Sequence, residues 1–275
     1  MEYPGLEKII GEAKNIVFFG GAGVSTGSGI PDFRGGDGLY GTSYEGEPPE
    51  ELLSRRCLAV QPEKFFGYYR THMIYPDAAP NGAHRALAEL ERRGKLTAVV
   101  TQNIDGLHQA AGSVNVIELH GSVMRNYCVR CGRRYPLAYI TESTGVPRCE
   151  ACGALVRPDV VLYGECLDGE AWSRAEEAIS AADVLIVGGT SLTVQPAASL
   201  VGLYEGDHLI IINKTPTPYD GYAETVIRSR MCSRASLNAC DMNNKVLSRL
   251  CATALYYTKK YCGSGSTPLA KPDSY

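Results

Sequence analysis

The chain has 275 residues, 44% hydrophobic and 21% charged, enough for one large core with a satellite module, so two domains of unequal size are expected. No apolar run approaches the roughly 20 residues that cross a bilayer, and Met1-Glu2-Tyr3-Pro4-Gly5 lacks the basic and apolar regions of a signal peptide. A cytoplasmic protein with no membrane partner is expected. The formal net charge is −3, but residues 228–275 hold 8 Lys and Arg against 2 Asp, leaving 19 against 28 in residues 1–227; an acidic body argues against nucleic acid as a partner.

The first element in chain order is Ile16 to Phe19, a short apolar run of the kind that forms a buried parallel strand. It runs into Gly20-Gly21-Ala22-Gly23, a turn where bare backbone N–H groups and the positive end of a following helix can meet a diphosphate. The glycines fall at Gly21, Gly23 and Gly27, one residue off G-x-G-x-x-G, and no acidic residue ends a second strand about 20 positions on, so the pattern points to a dinucleotide more than to a dehydrogenase. Pro31-Asp32-Phe33-Arg34 follow, residues that a phosphate site alone does not need. The cofactor is therefore expected to be consumed there.

Residues 35 to about 80 are rich in Gly, Pro and aromatics with only short helical patterns, and residues 121 to about 160 carry a group of cysteines. Apolar runs at Leu96 to Val100, Val114 to Leu119, Val184 to Val187 and Leu209 to Ile212 read as further core strands, with amphipathic stretches His84 to Arg92 and Ala171 to Ala181 between them. That alternation predicts an α/β fold: a parallel sheet covered by helices on both faces, with the two irregular regions forming a smaller second domain across a cleft.

Four of the ten cysteines form Cys128-x-x-Cys131 and Cys149-x-x-Cys152 with 17 residues between the pairs, the spacing of a tetrahedral zinc ribbon. Four thiolates leave no open position, so the metal is expected to be structural; a redox pair is the rival reading. Cys57 and Cys166 read as packing residues. Thr101-Gln102-Asn103-Ile104-Asp105-Gly106-Leu107-His108 and Glu118-Leu119-His120-Gly121 each follow a strand, at the edge where open α/β sheets bind ligands. Asn103 and Asp105 also suit caps and turns, and His72, His84, His108 and His208 read as structural; His120 alone merits a functional role from position. Gly188-Gly189-Thr190-Ser191-Leu192 offers a second phosphate-binding turn and Asn213 an amide at a third strand end, as an extended ligand with a diphosphate and two sugars would need.

Taken together, the stretch from Gly21 to Arg34, Thr101 to His108, His120-Gly121, the four cysteines, Arg157-Pro158-Asp159-Val160-Val161 with Gly164-Glu165, Gly189 to Leu192 and Asn213 resemble the sirtuins, in their bacterial-type short catalytic core, from about residue 8 to about residue 227. The resemblance implies an NAD-dependent protein-lysine deacetylase that releases nicotinamide, O-acetyl-ADP-ribose and free lysine. It implies a Rossmann-like domain of residues 1–34, 81–120 and 161–240, and a small helical and zinc-binding domain of residues 35–80 and 121–160. Residues 241–275 would be an atypical, partly disordered extension, with a substitute helix at Asp241 to Tyr257 and linker composition from Gly263 to Tyr275.

The resemblance also assigns roles. Ala22, Ser25, Thr26 and Arg34 would bind NAD near its diphosphate, and Gly189, Ser191, Asn213 and Ile227 on the adenosine side. Ile104 and Asp105 would hold the nicotinamide carboxamide, Phe33 would shield the reacting carbon, and Gln102 and Asn103 would order the ribose and nearby water. Val160, Val161, Tyr163 and Gly164 would pair with the backbone of an acetyl-lysine peptide as an added strand. Cys128, Cys131, Cys149 and Cys152 would hold one structural Zn²⁺. His120 would take a ribose hydroxyl proton as general base, with Asn103 beside it. Sirtuins that remove acidic acyl groups carry a Tyr and, three residues on, an Arg; Phe66 and Tyr69 fall at those positions here, which favours an apolar acyl pocket, with Arg70 as the residue that could reverse it. A silent NAD- or ADP-ribose-binding module and a mono-ADP-ribosyl transferase are the competing readings.

Overall fold

The computed structural model describes residues 4–33, 38, 44 and 46–231. Its strands are β1 (Ile16–Gly20), β2 (Leu96–Thr101), β3 (Val116–Glu118), β4 (Gly121–Cys128), β5 (Arg134–Pro136), β6 (Val156–Val160), β7 (Val184–Gly188), β8 (His208–Ile212) and β9 (Thr225–Ile227). Six of them form a parallel sheet in the order β3-β2-β1-β7-β8-β9, and the other three an antiparallel sheet in the order β5-β4-β6.

The parallel sheet is covered on both faces because its strands are apolar on both faces. Ile16, Phe18, Val184, Ile186, Ile210 and Ile212 pack with helices α1 (Pro4–Glu12) and α5 (Gly82–Arg92). Val17, Phe19, Leu185, Val187, Leu209 and Ile211 pack with α8 (Gly169–Ser180) and the 3₁₀ segment Ala197–Leu203. Helix α5 presents Ala83, Ala86, Leu87 and Leu90, one helical stripe, and starts where Asn81 Oδ1 accepts the Ala83 N–H at 2.8 Å. In β2 the register slips between Ile16 and Val17 of its neighbour, so Thr97 is the extra residue of a bulge; Leu96 faces one layer while Ala98 faces the other.

The small module has its own core. Helices α2 (Pro49–Leu52), α3 (Arg55–Val60), α4 (Pro62–His72) and α7 (Leu137–Thr141) pack Leu52, Phe65, Phe66, Tyr69 and Ile140 against Val123, Tyr135, Val156 and Leu162 of the antiparallel sheet and its loops. Helix α6 (Leu107–Ala110) is a single turn after β2.

The structure departs from the sequence reading at several elements. The strand expected at Val114 to Leu119 shortens to β3, because the N–H groups of Val114 and Asn115 bond the Glu91 carboxylate at 3.0 and 2.7 Å and Val114 is 89% exposed. Strand β9 and the antiparallel sheet were not expected, and α4 is a full 11-residue helix, not a short pattern. The expected helix at Asp241 to Tyr257 and the segment from Gly263 lie outside the described residues, as does Arg34. None of the described helices is long and apolar enough to cross a membrane.

Gly121 joins the two sheets with φ of +75°, and a Cβ there would lie 2.0 Å from the carbonyl oxygen of Asp159. Both the left-handed backbone and the backbone contact exclude a side chain. Gly121→Ala should therefore destabilise the protein by about 2 kcal/mol or more, read as a lower denaturant midpoint. An unchanged midpoint would contradict this account of the junction.

Candidate active site

All six parallel strands end on one edge, and the residues after them converge there. Between β1 and β7, neighbours in mid-sheet, lies the point where the strand order reverses, the usual ligand crevice of such a sheet. The loops after these two strands touch through backbone. Gly23 N–H donates to Gly189 O at 2.8 Å and Gly21 N–H to Gly188 O at 3.2 Å. A Cβ on Gly23 would meet the Gly189 backbone at 2.8 Å, and one on Gly189, whose φ is +61°, would meet Val24 N at 2.5 Å.

This revises the role read for the glycines. Val24 and Ser25 N–H groups also turn back, to Gly21 O and Ala22 O, and the chain continues as two 3₁₀ turns, Ala22–Val24 and Thr26–Ser28, so no α-helix begins here to lend a dipole. The glycines let two loops close on each other. Asn81, which the sequence reading missed, ties the turn from behind: its Nδ2 donates to Val24 O at 2.8 Å and to Ser28 Oγ at 3.0 Å. Its signal was present as Asn81-x-x-His84 at a helix start, a capping box in which His84 Nδ1 accepts the Asn81 N–H.

On the crevice floor Ser25 Oγ donates to Asp105 Oδ2 at 2.6 Å and accepts from Asn103 Nδ2 at 3.1 Å. Asp105 Oδ1 takes the Leu107 N–H at 2.9 Å. Burial pushes the Asp105 carboxyl above its ordinary range, the bonds from Ser25 and Leu107 oppose it, and the charge of Glu118 adds to the rise. Gln102 spans to the β7 loop, its Nε2 donating to Thr190 Oγ1 at 3.1 Å.

His120 is half-buried, with Nδ1 2.9 Å from the carbonyl oxygen of Gln102. A carbonyl only accepts, so Nδ1 carries the proton, and in the neutral ring Nε2 is left as the basic nitrogen. Burial pulls the imidazole below its ordinary pKa, the Gln102 carbonyl pulling the other way. His108 differs: both ring nitrogens are buried without partners among the described residues, its pKa falls to about 4 by burial, and it packs against His84.

Ala22, Ser25, Thr26, Gln102, Asn103, Ile104, Asp105, His120, Gly189, Ser191 and Asn213 thus lie in loops on one sheet edge, and Ile227 ends β9 on the same edge. Ile227 has its side chain in the core, and its carbonyl oxygen accepts the Asn213 and Ser229 N–H groups, each at 3.1 Å. The Asn213 amide is engaged by the loop that follows it, Nδ2 donating to Thr215 O at 2.9 Å. Phe33 is half-buried just beyond the first turn. Val160 closes β6, and Val161 N–H bonds His120 O at 3.0 Å, which sets this segment beside the histidine. Tyr163 N–H and C=O already bond Leu53 O and Arg55 N–H, so those groups are not open to an added strand.

In the small module the sulfurs of Cys128, Cys131, Cys149 and Cys152 lie within 4.8 Å of one another, Cys128 to Cys152 at 3.4 Å and Cys131 to Cys149 at 3.6 Å. Tetrahedral zinc with Zn–S near 2.3 Å would set the sulfurs about 3.8 Å apart, so the quartet suits a structural zinc. Arg130 and Cys131 N–H groups point at Cys128 Sγ, and the Tyr135 hydroxyl donates to Cys149 Sγ at 3.2 Å.

The edge loops, paired with a four-cysteine module, define an NAD-handling α/β protein with a zinc ribbon. The model of the Sir2 family matches residues 21–196, and the chain belongs to that family. An NAD-dependent protein deacetylase of Clostridium acetobutylicum is 55% identical over 224 residues, 81% of this chain and 91% of the relative. Another from Cutibacterium acnes is 56% identical over 219 residues, 79% of this chain and 89% of the relative. Among solved structures, a Sir2 homolog–NAD complex superposes with a TM-score of 0.80 at 38% identity, covering 93% of this chain and 95% of that one. A Sir2 protein with a deacetylated p53 peptide and 3′-O-acetyl ADP ribose gives 0.78 at 39% identity, covering 84% and 94%.

Because the four thiolates close the metal's coordination sphere, zinc should support the fold and not the chemistry. Cys149→Ser should lose zinc, thermal stability and activity together. A variant that stayed folded and zinc-loaded while losing only turnover would contradict the assignment.

Proposed function

We infer that this chain is an NAD-dependent protein-lysine deacetylase. It consumes NAD, acetylated lysine and one water, and releases nicotinamide, O-acetyl-ADP-ribose and free lysine. The observation that carries the site assignment is the His120–Gln102 bond, which leaves a basic Nε2 on a residue whose main chain is bonded to the segment proposed for the substrate. Ser25, Asn103 and Asp105 form a joined polar set in which Ser25 and Leu107 supply the donors to the carboxylate. A nicotinamide carboxamide would bring an N–H donor to that carboxylate, offsetting its burial. The bonds at Asp105 can be rearranged without moving backbone, because Ser25 Oγ is a rotor.

In this reading Ala22, Thr26, Gly189, Ser191, Asn213 and Ile227 line the path of the diphosphate and adenosine, Phe33 and Ile104 exclude water from the reacting carbon, and Gln102 and Asn103 hold the ribose side. Sequestering that carbon matters because a neutral amide oxygen is a weak nucleophile that water would outcompete. His120 Nε2 then takes a proton from a ribose hydroxyl, making that oxygen the attacking group in acyl transfer.

His120→Ala should remove most deacetylation, by about a hundredfold or more in kcat, with NAD affinity within a few-fold. The working ring is neutral and its pKa is lowered, so wild-type kcat/KM should hold as pH falls and drop only below the ordinary histidine value of 6.5. A variant with near wild-type kcat, or an acid limb well above that value, would point to a different base.

The acyl pocket follows from α4. Phe66 and Tyr69 are fully buried, and burial raises the Tyr69 phenol well above its ordinary pKa. Arg70 points elsewhere, with Nε on Ile140 O at 2.8 Å and Nη2 on Ser143 Oγ and Gly145 O at 2.7 and 2.6 Å. Arg157, whose charge reaches Tyr69, is held by Glu165. A succinyl carboxylate would therefore enter without a cationic partner, the buried Tyr69 hydroxyl being a neutral donor only. Acetyl peptides should exceed succinyl peptides in kcat/KM by about a hundredfold, and equal values would sink this reading.

A further inference from the structure

From the last residue of β6 toward α8 the chain turns through residues 160–164, which include the proposed peptide contacts. Val160 and Leu162 are buried, Tyr163 and Gly164 are exposed, and one ion pair bonds the turn along its length. Arg157 Nη1 donates to Glu165 Oε1 at 2.5 Å and Nη2 to Oε2 at 2.9 Å. The same guanidinium bonds Pro158 O at 3.2 Å and Val160 O at 2.9 Å at the loop's entry. Glu165 Oε2 accepts the Leu162 N–H at 2.9 Å, and Glu165 N–H returns to Leu162 O at 2.9 Å. The pair therefore reaches the start, the middle and the end of the loop.

The loop's neighbours are those of the chemistry. Val161 N–H bonds the carbonyl of His120, and Tyr163 bonds residues 53 and 55 of the helical module. Tyr163 is 44% exposed and Gly164 is also exposed, with φ of +85°. Val160 and Leu162 anchor the segment in the small-module core, so the polar bonds set the shape of the residues between and after them, Val161, Tyr163 and Gly164. Both partners are mostly shielded, at 13% and 19% side-chain exposure, and Arg157 also lies over the Tyr127 ring at 5.9 Å, so the pair is screened far less than a surface bridge.

We propose that the Arg157–Glu165 pair is a positioning device for the substrate peptide: it keeps residues 160–164 in the one shape that receives the acyl-lysine backbone, and acts on peptide affinity without touching NAD. The inference rests on the deacetylase reading and on the peptide contacts assigned above. Its physical consequence is a population effect. When the pair is broken the loop samples other shapes, and apparent peptide affinity falls by the fraction still competent, while a saturated ternary complex still turns over.

The test uses the full chain with Glu165→Gln, Arg157→Lys and Arg157→Gln. Steady-state constants are measured for NAD and an acetyl-lysine peptide, and direct binding by anisotropy of a fluorescein-labelled acetyl-lysine peptide. Glu165→Gln keeps an acceptor for Leu162 N–H and carries the test if Arg157→Gln fails to fold. Peptide KM and Kd should rise about tenfold in Glu165→Gln, with NAD KM and kcat within about twofold and zinc content unchanged. Arg157→Lys, which keeps the charge but loses the fork, should fall between wild type and Arg157→Gln. Peptide constants that stay at wild-type values, or peptide and NAD constants that rise together, would overturn the proposal. Failure of the deacetylase reading would show instead as a wild-type protein with no turnover.

Discussion

The backbone contact between the loops after β1 and β7 is the constraint on which the site depends. These strands lie side by side where the sheet's order reverses, and Gly21 and Gly23 meet Gly189 and Thr190 too closely for a Cβ. Their closure sets the crevice floor. Ser25, four residues past Gly21, is placed by that turn to join Asn103 and Asp105 from β2, and Thr190, on the other side of the contact, takes the Gln102 amide. A side chain at Gly23 would part the loops and so disturb a hydrogen-bonded set contributed by three strands.

From this floor the organisation extends into the small module through backbone. Gln102 fixes the tautomer of His120 with its carbonyl, and the next carbonyl in the path, that of His120 itself, holds Val161. The residue proposed to move a proton is thus bonded through its ring to the loop after β2 and through its main chain to the segment after β6. Gly121, next in sequence, makes the turn that lets one chain serve both sheets. The four cysteines anchor the far end of the antiparallel sheet, where β4 ends at Cys128, so the zinc ribbon supports the sheet whose strand β6 leads into the segment proposed for the peptide.

Much of this was readable in the sequence, for physical reasons that also mark where reading stops. Strands buried on both faces must be apolar throughout, so β1, β2, β7 and β8 stood out as runs, while β9, three residues with only Ile227 buried, had no run to show. The cysteine quartet was readable because metal geometry imposes spacing. The glycine turn is legible, but its packing reason is not, since the partner that forbids a Cβ lies more than 160 residues away along the chain. The bulge at Thr97 and the Arg157–Glu165 pair leave no pattern, since each depends on where another segment sits.

The account's central claim is that the crevice couples cleavage of NAD to removal of an acetyl group from lysine. Its most direct test is the stoichiometry of a single reaction containing the full chain, NAD and an acetyl-lysine peptide, followed by mass spectrometry. The account predicts nicotinamide, deacetylated peptide and O-acetyl-ADP-ribose in equal amounts, with no release of free acetate in the first turnover. NAD consumed without peptide deacetylation, or ADP-ribose left covalently on protein, would contradict it.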